Sequence, residues 1–188
     1  MKRTFESVLV EQCAPTLMGV KPANLFRYQP AEGEALEAAI LCCAEDLACR
    51  GITIKVLKVC GKTGACLVYL YRDAWLSRIL AEPAVRRFLS LNGYTWEQTS
   101  GEMLHTLAGR LCLEQDYPHE IGVFLGYPLE DVEGFIIHRG KNFTCSGLWK
   151  AYGDPAAAQR RFDAYRRCTA DCVEKWRHGS SLAELIAA

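Results

Sequence analysis

The sequence lacks a charge excess of either sign: Lys plus Arg and Asp plus Glu number 22 each, for a formal net charge of +0. That balance argues against non-specific nucleic-acid binding, which needs surplus cations to neutralise phosphates. It also lacks any apolar run near the roughly 20 residues that cross a bilayer, so no membrane association is expected. The first residues carry Lys2 and Arg3, but Glu6 and Glu11 interrupt any apolar export core, and a cytoplasmic location is the expectation. No internal repeat, low-complexity tract or linker divides the chain. A single α+β domain over residues 1–188 is the economical organisation, at a length that supports a core without staples.

Several chemical signatures are missing as well. No Cys-x-x-Cys pair occurs among the ten cysteines, so the usual zinc and iron–sulfur spacings are absent. Gly61-Lys62-Thr63 is no phosphate loop, because Val56 stands where the first glycine belongs and a strand follows instead of a helix. His119-Glu120 opens like a zinc-protease helix, but Val123 replaces the second histidine. No nucleophile elbow, dinucleotide fingerprint or kinase signature is found.

What is present is a clear alternation of helical and strand periodicity. Thr4 to Cys13 reads as a helix ended by Pro15, and Asn24 to Tyr28 as a strand. Leu36, Ile40, Cys43 and Leu47 recur at spacings of four, three and four, the stripe of an amphipathic helix that buries Cys43. Ile52, Ile54 and Val56 alternate with polar residues, and the turn at Cys60 to Gly64 joins this run to Ala65–Tyr71 as an antiparallel hairpin. Register leaves open whether Cys60 faces Cys66 or lies one position off. Helices are expected at 74–80, 83–91 and behind the Thr95–Gln98 capping box, where Leu104, Leu107, Ala108 and Leu111 form a buried stripe and His105 lies off it. Pro128 opens a further helix that Glu130, Asp131 and Glu133 favour as solvated first-turn acids. Phe143 to Tyr152 reads as a strand joining the sheet of the 52–71 hairpin. Asp154-Pro155 starts a long helix with Phe162, Tyr165, Cys168, Cys172 and Trp176 on one face, and Ser181 to Glu184 is a capping box for a last short helix.

The block His119-Glu120-Ile121-Gly122, Phe124-Leu125-Gly126-Tyr127-Pro128 and Glu130-Asp131-Val132 resembles the hallmark of an uncharacterised bacterial family, Domain of Unknown Function 3793, found mainly in anaerobes. Cys13-Ala14-Pro15-Thr16-Leu17, Lys21-Pro22-Ala23, and Cys145 leading into Gly147-Leu148-Trp149-Lys150-Ala151-Tyr152-Gly153 resemble it too, as do Phe162, Tyr165 and Cys168. Leu148 and Ala151 depart from the family's usual Tyr and Val. The resemblance implies no catalytic residue. It implies an anaerobic setting, in which reduced thiols and thiolate-bound iron or zinc are credible cofactor chemistry, and a flavodoxin-like or iron-related protein as partner.

Three readings of function follow. A thiol-based redox or metal-handling protein would use Cys13, Cys145 and Cys168, and needs at least two of them to converge. A binding or adaptor module without chemistry would present Tyr127, Trp149 and Lys150, aromatic groups beside turns being good contact anchors. A small-molecule enzyme would use His119 with Glu120 or Asp131 as acid and base, and needs one concave pocket holding both.

Overall fold

The computed structural model describes residues 4–113 and 117–187; Lys2, Arg3 and the side chain of Cys112 lie outside the described set. The chain divides into two compact units, Met1–Ala74 with Arg167–Ala188, and Trp75–Arg166. Among the described residues the architecture is α+β, with one three-stranded antiparallel sheet and one two-stranded hairpin.

The first unit starts with helix α1 (Phe5–Leu17), capped by the Thr4 hydroxyl accepting from Ser7 N–H at 3.2 Å. It runs past the expected stop: Pro15 lies inside the helix, where it gives up a helical hydrogen bond, and its last turn, Ala14 to Leu17, is buried. Strand β1 (Ala23–Tyr28), helix α2 (Leu36–Ala48) and strands β2 (Ile52–Val59) and β3 (Cys66–Arg72) follow. The sheet order is β1-β3-β2, so the hairpin's third neighbour is β1 and not the 143–152 segment. The central β3 is buried on both faces: Cys66, Val68 and Leu70 join the core beneath α1 and α2, while Tyr69 and Tyr71 stack on the other side at 5.1 Å. Val59 pairs with Cys66, which places Cys60 one position off it, in the turn.

Arg72, at the end of β3, is 7% exposed. Its Nε donates to Thr16 O at 2.9 Å, and its Nη2 donates to Leu17 O at 2.9 Å and Ala187 O at 3.0 Å. One guanidinium thus ties the end of α1 to the segment behind the short helix α9 (Leu182–Leu185), whose Ser181–Glu184 capping box forms as expected.

The second unit is built from helices. α3 (Asp73–Ala81) enters it, followed by α4 (Pro83–Leu91), α5 (Ser100–Leu113), α6 (Ile121–Phe124) and α7 (Leu129–His138). Gln98 does reach back to Thr95 N–H at 3.0 Å, but a second box one turn later, Thr99 with Glu102, begins α5. Leu104, Leu107 and Leu111 are buried and His105 is exposed, as the stripe predicts. The 143–152 segment forms only the two short strands β4 (Cys145–Ser146) and β5 (Lys150–Ala151), a separate hairpin around Gly147 to Trp149. Gly147 and Gly153 punctuate it, and four of its side chains serve ring or ion contacts rather than a ladder. Helix α8 (Pro155–Arg177) belongs to this unit as far as Arg166 and to the first unit beyond.

Candidate functional site

The Gly- and Pro-rich block at 118–135 folds into two helices joined by a tight turn. Gly126 has φ +74°, a left-handed conformation glycine adopts without strain, and Tyr127 N–H closes the turn on Gly122 O at 2.9 Å. Gly122 is required by close approach: a Cβ there would meet Val132 Cγ2 at 2.7 Å and Tyr127 Cδ2 at 3.2 Å. α6 and α7 therefore press together, and Tyr127 is thrown out at their junction.

Asp131, on α7, holds the hairpin against this pair. Only 4% exposed, its Oδ2 accepts from Trp149 Nε1–H at 2.7 Å. Its Oδ1 accepts from the backbone N–H groups of Tyr152 at 2.7 Å and Gly153 at 3.1 Å. It is not the solvated first-turn acid expected from its position; Glu130 and Glu133 are, both being exposed. A buried carboxylate is tolerable because three N–H donors replace its water. Gly147 lets the hairpin tip lie on α8, since a Cβ there would run into the Phe162 ring.

Held this way, Trp149 stacks on Tyr127 with ring centres 4.7 Å apart and an interplanar angle of 21°, and meets the Phe162 edge at 4.5 Å. Burial, reinforced by the Tyr165 and Tyr117 phenols, pushes the Tyr127 phenol up to about 12, so it stays neutral. Lys150 reaches across to donate to Gly140 O at 2.7 Å, and its ammonium lies 5.2 Å from the centre of the Phe143 ring. Its bond to the carbonyl end of α7 is favourable to the helix dipole. His119 meets Phe135 edge-on at 4.9 Å.

Between α6, α7 and the hairpin lies a cleft of about 370 Å³ walled by His119, Tyr127, Phe135, Leu148, Trp149 and Lys150, with Asp131 at its base. That size falls in the range of about 300–1,000 Å³ typical of small-molecule sites. The structure thus brings together all three sequence-predicted contact residues and adds His119, Phe135 and Leu148. Glu120 lies elsewhere: 2% exposed, it accepts from Tyr94 Oη–H at 3.2 Å and pairs with Arg110 Nη1 at 3.1 Å. His119 and Glu120, adjacent in sequence, face different surroundings. Asp131 shares the cleft with His119, but its oxygens are spent on the hairpin.

Cys13 and Cys168 belong to the first unit and Cys145 to the second. Cys13 is fully buried in the first unit's core, and burial pushes its thiol far up, against a smaller pull from Lys21. Burial likewise draws the Lys21 ammonium down to about 8. Cys168 is partly buried with its thiol raised, its Sγ 3.7 Å from Ala14 O. Cys145 lies in the second unit, its Sγ 4.0 Å from Gln159 Oε1. Among the described residues no three His, Cys, Asp or Glu side chains gather as a metal site would require. The thiol that sequence reasoning missed is Cys60. The Thr63 hydroxyl and the Lys62 and Thr63 backbone N–H groups draw its pKa down to about 7, aided by Arg27. The signal was the turn itself, whose glycines leave backbone N–H groups free to converge on one atom.

These features define an α+β protein with an aromatic cleft anchored on a buried carboxylate. The family model described as "Protein of unknown function (DUF3793)" matches residues 9–186, and the chain belongs to that family. No curated protein and no solved structure matches it. No described helix is long and apolar enough to cross a membrane.

Proposed function

We propose that this chain is a binding module whose recognition site is the cleft between α6, α7 and the β4–β5 hairpin. One observation carries the reading: Trp149 and Lys150, distant in sequence from the 118–135 block, converge with its His119, Tyr127 and Phe135 on a single apolar concavity. The walls are fixed by stacking and by Asp131, so a ligand would meet a preformed surface and little ordering cost would oppose binding. Its wall also presents an exposed apolar side chain, Leu148, which is 49% exposed. Asp131, which shares the cleft with His119, already accepts three hydrogen bonds. The test is a titration with 2-naphthamide, a neutral flat probe, followed by two-dimensional NMR. Saturable shifts of the Trp149 indole N–H and the amides of residues 119–122 and 146–150 are expected. Shifts that map elsewhere, or none up to the probe's solubility, would reject the reading.

A thiol-based role is the second reading, and the observation that favours it is Cys60 in place of the three cysteines of the family match. A thiol half-ionised near neutrality supplies far more nucleophilic thiolate than one at its ordinary pKa. At pH 7 iodoacetamide is expected to modify Cys60 ahead of the exposed Cys42 and Cys49. Because the pKa is lowered, the thiolate is lost as pH falls below 7, and the rate at pH 5 should be about fiftyfold below that at pH 7. Thr63→Ala should slow it at pH 7. Peptide mass spectrometry reads each site, and equal rates at the three thiols would remove this reading.

A further inference from the structure

The cleft's polar groups are unequally provided with donors and acceptors, and that imbalance selects a ligand. A lysine ammonium has three N–H donors and no acceptor. Lys150 uses one on Gly140 O, and no carboxylate lies within ion-pair distance of it among the described residues. The phenyl face of Phe143 partners its charge without consuming a hydrogen bond. The carboxylate that could have balanced Lys150, Asp131, lies in the same cleft but has turned its oxygens to Trp149, Tyr152 and Gly153. It offers little to a ligand cation. His119, Tyr127 and Ser146, also in the wall, can each donate or accept. The charged wall group with capacity to spare is therefore the donor Lys150, set in apolar walls where a charge-assisted hydrogen bond is strong.

Building on the binding-module reading, we infer that the cleft takes a small organic acid: a flat apolar or aromatic body lying against Phe135, Trp149 and Leu148, with a carboxylate received by Lys150. The two remaining N–H donors of one ammonium match the two oxygens of a carboxylate. A phosphate monoester carries nearly two negative charges, and the single ammonium of Lys150 would leave one of them unpaired against apolar walls. The cleft's volume of about 370 Å³ accommodates a one- or two-ring acid and not a polymer.

The test is a series of one shape and three charges: 2-naphthoate, 2-naphthamide and 2-naphthylmethylammonium, with 2-naphthyl phosphate as a fourth arm. Dissociation constants come from the same NMR titration on the full chain. 2-Naphthoate is expected to bind at least about tenfold tighter than the amide, and the ammonium compound weakest. In Lys150→Met 2-naphthoate should lose at least about tenfold more affinity than 2-naphthamide loses, with near-ultraviolet circular dichroism reporting whether the aromatic cluster is intact. The wild-type comparison needs no variant and decides the matter even where Lys150→Met fails to fold. Equal or tighter binding of the amide or the ammonium compound overturns the carboxylate assignment and leaves the binding module standing. Tighter binding of the phosphate replaces carboxylate by phosphate and overturns the organic-acid claim. No binding by any probe overturns the binding-module reading, and this inference with it.

Discussion

Asp131→Ala is expected to lower the stability of the protein by about 3 kcal/mol and to release the β4–β5 hairpin, because three half-buried N–H donors lose their acceptor together. Each orphaned donor costs about 1–3 kcal/mol, and partial rehydration of a loosened hairpin reduces the sum. The donors come from the turn and from the residues just past β5: the Trp149 indole, and the Tyr152 and Gly153 amides. The loss should therefore appear at the cleft before it appears elsewhere. Trp149 is stacked on Tyr127 only while its N–H is pinned, so the near-ultraviolet circular dichroism of that pair should collapse. Asp131→Asn separates the contributions. Its amide oxygen still accepts from the two backbone groups, while its NH2 opposes the indole N–H, donor against donor. It should cost roughly half as much as Asp131→Ala. Denaturant midpoints of the two variants give the ordering, and a wild-type-like Asp131→Ala would show that the hairpin does not depend on this carboxylate.

Arg72→Met is expected to destabilise the first unit by about 2–4 kcal/mol. Methionine keeps much of the buried stem and removes every donor, leaving the carbonyls of Thr16, Leu17 and Ala187 without their guanidinium partner. Burial lowers the Arg72 pKa from its ordinary value, which is the cost of holding the group inside; the carbonyl bonds offset it. Arg72→Lys keeps a charge but cannot reproduce the planar fork that reaches both ends of the contact, so it should recover less than half of the loss. Hydrogen exchange gives a local readout: the Ala187 amide, bonded to Leu17 O at 3.0 Å, should lose protection in Arg72→Met while the β2–β3 ladder keeps its own.

Much of the first unit was legible from periodicity and caps. The 36–48 helix and the 52–71 hairpin carry strong local patterns that tertiary contacts reinforce, and Ser181 to Glu184 is a complete capping box. Pro15 misled because the local penalty of a proline inside a helix is overridden by burial of the last turn in the first unit's core. The segment 143–152 misled for a different reason. Its alternation of aromatic and small residues looks like a strand, yet Trp149, Lys150 and Tyr152 are placed by Asp131, Gly140 and His138 rather than by a sheet. Such partners lie too far along the chain for a local pattern to reveal. The same holds for the cleft. Tyr127, Trp149 and Lys150 could be singled out as contact residues beside turns, but only the fold shows that His119 and Phe135 join them. Glu120 could not be separated from His119 by sequence, since its partner Arg110 and its neighbour Tyr94 come from other elements. Asp131 held a clue, because it points away from the face shared by Glu130 and Glu133, and a buried indole N–H at Trp149 needs an acceptor.

The most direct test of the cleft as a recognition site is a crystal structure of the protein grown with 2-naphthoate. The account predicts the naphthalene ring against Phe135, Trp149 and Leu148, its carboxylate within hydrogen-bond distance of Lys150 Nζ, and Asp131 still bonded to Trp149, Tyr152 and Gly153. A ligand bound elsewhere, or a cleft that stays empty at saturating concentration, would contradict it.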